Sequence, residues 1–390
     1  MTEGSDYIEM ERLFIRMTPR RRDVLELAGA TATVATIGIA GCATRATGKT
    51  DDNDELPAYT SWLTLDDDGL EFIYANWEIL EELVADDLEE QGPGEAEVPA
   101  EFEADPMIAP VSDALVWAYF FVALDLARFR LGRLLDEDEF ESSIEELVLA
   151  NEVLVLTGTV DPGEIDARLT PEAEAGFIVQ VEQTDEIDEY DVYTAVDDDT
   201  DAAVAVSTEA LVFAGGTDLE EDDLSTLLET TIGASAGTVD RATDESDSVA
   251  WLVESAGDGD IVVGQYGDRV GDEGVVDLAF EELEDADGIV SSVTVEDEET
   301  LTGDFAAIID DPDEATLEEI LGISATERSV DVDEDHVIAT ATWRDEGLTA
   351  DRLRYTPAFG IHSSRHLSGA TFTSLSTNTI ELSLKSAPRS

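Results

Sequence analysis

Residues 153–160 read VLVLTGTV and stop at Asp161-Pro162-Gly163. A short run of Val, Leu and Thr closed by a turn signal is a strand, since a buried helix needs a longer apolar stretch. A short helix fits Glu164 to Leu169, and four more such runs follow: GFIVQVEQ (176–183), YDVYTAV (190–196), AAVAVS (202–207) and ALVFAG (210–215). Aspartate-rich turns separate them. The spacing predicts an antiparallel meander.

Downstream, Gly215-Gly216 is followed by Asp218, Glu220, Glu221, Asp222 and Asp223, then by Leu224, Leu227 and Leu228. Acids at the start of a helix face the positive end of its dipole, so a helix packed through those leucines is expected. A weaker echo comes later. VVDLAFEEL (275–283), GIVSSVTVE (288–296) and LTGDFAAIID (301–310) read as strands, DDPDEATLEEILG (310–322) as an acid-led helix packed through Leu317, Ile320 and Leu321, and HVIATATW (336–343) as a closing strand. The shared order of strand and acid-led helix suggests an internal duplication. Strands and helices mix without regular βαβ alternation, which predicts an α+β fold of antiparallel sheets with packed helices.

Upstream, YTSWLTL (59–65) and LEFIYANW (70–77) flank Asp66-Asp67-Asp68-Gly69 and read as a hairpin. Trp77, Leu80, Val84 and Leu88 recur at helical spacing, and a loop rich in Pro, Gly and Glu fills 91–110. ALVWAYFFVAL (114–124), continuing to Leu135, suits a buried central helix and is too short to span a bilayer. Ser112 or Asp113 is placed to cap its start, and Arg128, Arg130 and Arg133 lie where cations favour a helix end. Tyr74, Trp77, Trp117, Tyr119 and Phe120 are the densest aromatic group and are expected to pack a core.

The chain of 390 residues carries 94 Asp and Glu against 20 Lys and Arg, a formal net charge of -74, yet 43% of it is hydrophobic. That is too charged for an ordinary surface and too apolar for a disordered acidic tail, so a folded body with a carboxylate surface is expected. Nucleic-acid binding needs a basic stripe that this composition lacks. Only Lys49 and Lys385 are lysines, and the other eighteen basic residues are arginines. This bias resembles haloarchaeal proteins, and in molar salt, where the Debye length is about 3 Å, such carboxylates are screened and serve to hold water and cations.

Residues 20–42, RRRDVLELAGATATVATIGIAGC, hold Arg21-Arg22 ahead of a weakly apolar run of Ala, Gly and Thr. This resembles a twin-arginine export signal. Ile39-Ala40-Gly41-Cys42 resembles a lipobox, and Cys42 is the single cysteine of the chain. The resemblance implies lipid attachment at Cys42, export in the folded state, and a domain held by membrane lipid on the outer face of the cell membrane, with about 0.8 kcal/mol for each CH₂ buried. Taken with the composition, the chain resembles uncharacterised haloarchaeal lipoproteins that carry a twin-arginine signal and a lipobox.

The organisation expected is therefore an export signal over 1–41, with Met17 as an alternative start, and a polar tether over 42–58. A hairpin plus helical part over 59–150 and an α+β antiparallel-sheet domain over 151–345 follow. Residues 346–390 form an atypical basic tail: from Arg352 onward only Glu381 is acidic, against Arg352, Arg354, Arg365, Lys385 and Arg389. Two readings stand, a tail that docks on the acidic body or a shifted coding frame that makes the segment an artefact.

Motifs for chemistry are sparse. Gly233-Ala234-Ser235-Ala236-Gly237 matches the G-x-S-x-G nucleophile pattern, but it follows a helix where the pattern needs a strand, and its base would have to be His336. His362 and His366 share a four-residue spacing in poor helix material. Asp66 to Gly69 fails the calcium-loop pattern, because Gly69 as its sixth residue puts Thr64 first and Ala75 twelfth, and Asp197 to Asp201 lacks the glycine altogether. No catalytic residue, cofactor-binding residue or metal ligand is assigned, and no cofactor is implied. The expected function is a non-enzymatic, lipid-anchored surface protein of a halophile with a binding or interaction role. The alternatives are a solute-binding component of a transporter, built as two lobes around a cleft, and an anchored serine hydrolase using Ser235.

Overall fold

The computed structural model describes residues 56–79, 104–116, 122–135, 140–171, 178–196, 202–215, 221–268, 280–297 and 300–344, with isolated residues between them. The strands are β1 Gly69–Asn76, β2 Ser143–Ala150, β3 Val153–Thr159, β4 Val181–Ile187, β5 Tyr190–Ala195, β6 Ala202–Val206, β7 Ala210–Gly215, β8 Ile261–Gly267, β9 Ala286–Asp297, β10 Thr300–Ile309, β11 Glu327–Asp333 and β12 His336–Arg344. The helices are α1 Ala109–Val116, α2 Ala123–Arg128, α3 Pro162–Leu169, α4 Glu221–Ala236, α5 Ala242–Glu245, α6 Asp247–Ala256 and α7 Glu314–Ile320. Helices on a large antiparallel sheet make this an α+β fold, as the pattern of runs predicts.

The twelve described strands join one sheet in the order β11-β12-β10-β9-β8-β1-β2-β3-β7-β6-β5-β4. Every neighbouring pair is antiparallel. The central strands are apolar on both faces because helices cover both. In β1, Ile73 and Ala75 point to one core, while Leu70, Phe72 and Tyr74 point to the other. The first core is closed by Val111 and Leu115 of α1, Leu126 of α2, Ile165 and Leu169 of α3, and Leu317 of α7. The second is closed by Leu224, Leu228 and Ile232 of α4, Ala242 of α5, and Val249, Leu252 and Val253 of α6. Burial on both faces is why the central strands read as continuous apolar runs, whereas β12 near the edge alternates, with Val337, Ala339, Ala341 and Trp343 buried.

The boundary expected at residues 150 and 151 is corrected by the structure. Asn151 and Glu152 form the turn between β2 and β3, which pair from Ser143↔Thr159 to Ala150↔Val153, and Asn151 takes φ 51° there. The change of pattern at Glu152 is the corner of a hairpin inside one sheet. All described residues fall in the same compact unit.

The hairpin expected from YTSWLTL is also corrected. Residues Ala58–Trp62 form a 3-10 turn with Tyr59, Thr60 and Trp62 buried. Pro57 pre-sets the entry, and the hydroxyls of Thr60 and Ser61 donate to the carbonyls of Pro57 and Ala58, each at 2.8 Å. Short side-chain bonds of this kind compete with a strand ladder, so an aromatic run becomes a turn. Only one isolated bridge, Asp66↔Gly69, leads into β1.

The central helix expected from Ala114 to Leu135 is described as helix over Ala109–Val116 and Ala123–Arg128, residues 117 and 119–121 lying outside the described residues, and helix α2 stops short of Leu135. Helix α1 starts at Ala109, ahead of Ser112 and Asp113, and its first turn is held by Asp105, whose carbonyl accepts from the N–H groups of Ile108 and Ala109. Helix α2 ends where Arg130 turns to φ 61° and the Leu131 N–H returns to the Leu126 carbonyl at 2.8 Å. Arg130 does serve a helix end, but that of α3: its guanidinium donates to the carbonyls of Leu169 at 3.0 Å and Pro171 at 2.7 Å. Trp117, Tyr119, Phe120, Leu80, Val84 and Leu88 lie outside the described residues, while Tyr74 and Trp77 are buried as expected.

Strand-rich parts of the second half agree with the sequence, with two additions. IVVGQYG forms β8 and ERSVDVD forms β11, neither of which the runs singled out. Of VVDLAFEEL, Glu281–Leu283 form a 3-10 turn in place of a strand.

Candidate functional site

Four described groups whose proton affinity is raised, Tyr59, Tyr74, Asp260 and Asp304, share Asp258 as a neighbour on the α6 side of the sheet. Tyr59 and Tyr74 stack with ring centroids 4.3 Å apart and planes 17° from parallel. The Tyr59 hydroxyl donates to the Gly257 carbonyl at 3.1 Å, just after α6. The Tyr74 hydroxyl donates to Glu146 Oε1 at 3.1 Å, and Thr157 donates to Glu146 Oε2 at 3.1 Å, so this β2 carboxylate ties β1 to β3.

Asp258 is the common electrostatic neighbour. Burial, with Glu146, Asp260 and Asp258 adding repulsion of the phenolate, holds Tyr74 far above the ordinary tyrosine range. Burial does the same to Tyr59, with smaller contributions from Tyr74 and Asp258. The Asp304 carboxyl of β10 is pushed up by burial and by Asp258. Asp260, immediately before β8, is pushed up by burial and partly offset by the Val295 N–H, which donates to its Oδ2 at 2.8 Å.

Burial favours the protonated forms of Tyr59, Tyr74, Asp260 and Asp304. Both phenols are committed donors and are driven away from ionisation, so neither can serve as a nucleophile or base near neutrality. Among the described residues, no group of three or more His, Cys, Asp or Glu is placed to hold a metal ion.

The motifs singled out in the sequence lie elsewhere. Ser235 sits in the last turn of α4, where the Thr238 and Val239 N–H groups return to the Gly233 carbonyl at 2.8 and 3.1 Å and Gly237 takes φ 72°. That is a helix end closed by a left-handed glycine, not a strained elbow after a strand. Arg241 donates to the Ala234 and Ser235 carbonyls and fixes the turn further. His336 opens β12, with its Nδ1 2.7 Å from Asp335 Oδ1 and its ring edge-on to Trp251 at 4.0 Å. Helix α4 packs on β7, β6 and β3, and β3 is six steps along the sheet order from β12. The geometry brings no imidazole to Ser235 among the described contacts.

Asp66 to Gly69 forms a side-chain-closed turn. Asp66 Oδ1 accepts from the Asp68 and Gly69 N–H groups, each at 2.9 Å, which uses the carboxylate internally. Arg21, Arg22, Ile39, Ala40, Gly41, Cys42, Asp197 to Asp201, His362 and His366 lie outside the described residues.

No family model matches the chain, and no curated protein matches it. Among solved structures, crystal form III of a protein designated TP0453 is similar at a TM-score of 0.39 and 8% identity, covering 73% of this chain and 93% of that one. Crystal form I of the same protein gives 0.38 and 7%, covering 74% and 94%. A likeness this distant carries no argument about function.

Proposed function

We propose that the chain is an exported domain of a halophile, anchored by lipid on Cys42 to the outer face of the cell membrane, where it binds a partner and catalyses no reaction. The observation that carries this reading is Ile39-Ala40-Gly41-Cys42 behind Arg21-Arg22, with Cys42 the single cysteine. No helix among the described residues is long and apolar enough to cross a membrane. The commitment of both cluster phenols to carbonyl and carboxylate acceptors favours a binding role over a catalytic one. Among the described residues, one sheet of twelve strands rather than two lobes about a cleft favours this reading over a transporter's solute-binding component.

The test is Cys42→Ser, expressed in a haloarchaeal host and fractionated. The substituted protein is expected to leave the membrane fraction for the medium. Retention as firm as that of the unchanged protein overturns the anchor.

We also propose that the sheet arose by duplication about the β1–β8 pair. From β1 outward, β2 and β3 lead to α3, and β7 then returns to pair with β3; from β8 outward, β9 and β10 lead to α7, and β12 returns to pair with β10. Both helices are capped by aspartate, Asp161 accepting from Gly163 and Glu164, and Asp313 from Ala315 and Thr316. The correspondence is between α3 and α7, not between α4 and α7 as the acid-led pattern suggests. Superposing β8–β9–β10–α7 on β1–β2–β3–α3 in a crystal structure of the domain should bring the two caps into register; caps on different turns would argue for independent origins.

A further inference from the structure

We draw no further inference here: the strongest candidate, the solvent-facing side of β11 and β12 bordered by Trp251 and His336, carries nothing because nothing in the structure shows what covers it.

Discussion

Ser324 donates its hydroxyl to Asp105 Oδ2 at 2.5 Å across 219 residues of sequence. Asp105 is fully buried, and its carboxylate also accepts from the N–H groups of Met107 at 3.1 Å, Gly322 at 3.0 Å and Ser324 at 3.0 Å. Trp343 closes the group by donating to Ser324 Oγ at 2.8 Å. One carboxylate thus joins the segment before α1 to the connection between α7 and β11. Asp105→Ala would leave several buried donors without an acceptor, so a loss of about 3 kcal/mol or more is expected. Denaturant unfolding in molar salt measures it, and a loss under about 1 kcal/mol would show that water or rearrangement replaces the carboxylate.

Gly69 begins β1 at φ 123°, and a Cβ there would stand 2.0 Å from the Tyr266 carbonyl oxygen of the paired strand. Gly69→Ala must displace the backbone of the central β1–β8 pair and is expected to cost about 3 kcal/mol. Gly237 is the control, with φ 72° and nothing within 4 Å of an added Cβ. Gly237→Ala should cost only the left-handed strain, about 1 kcal/mol. Equal losses in thermal unfolding would mean that conformation, and not crowding, decides both positions.

Burial and Asp258 raise the folded-state proton affinity of Asp304 above its unfolded value. A group shifted in this direction contributes its stability fully below the unfolded value, near pH 4, and loses it as pH rises through the folded one. At neutral pH the ionised Asp304 therefore weakens the fold. Asp304→Asn should stabilise by up to about 1 kcal/mol at pH 7, after discounting for its partly solvated edge, and the gain should vanish on acidification below about pH 4. Urea titrations of both proteins across that range test this; a gain independent of pH would assign it to something other than ionisation.

A net charge of -74 on one chain opposes compaction wherever ions do not screen it. Dialysis from molar salt to dilute buffer should unfold the domain, followed by circular dichroism, with sodium and potassium chlorides restoring it. Retention of the same spectrum and unfolding midpoint in both solvents would overturn the halophilic reading.

Local features were legible where one residue type settles the matter. The Pro162-Gly163 stop and the Asp161 cap fix the end of β3 and the start of α3, and the apolar runs of β6 and β7 need only burial on both faces. The 3-10 turn at Ala58–Trp62 was misread because its aromatic residues are buried by the second core in the same way that strand residues would be. The break after α2 goes with Arg130 reaching carbonyls at the end of α3, a contact that no local pattern carries. The tyrosine–carboxylate cluster was invisible for a different reason. With 94 acids in the chain, Asp258, Asp260 and Asp304 have no contrast until β1, β8 and β10 bring them together.

The place of β1 has a consequence for the timing of synthesis. It is the first strand among the described residues, yet it lies mid-sheet, with β2 beginning at residue 143 on one side and β8 ending at residue 267 on the other. A growing chain can pair one flank of β1 early, but the other stays open until β8 has left the ribosome, and pairings this distant in sequence close slowly. Until then Leu70, Phe72 and Tyr74 have only part of their final cover. A translocation route that accepts only finished domains would hold each chain back until that last flank has closed.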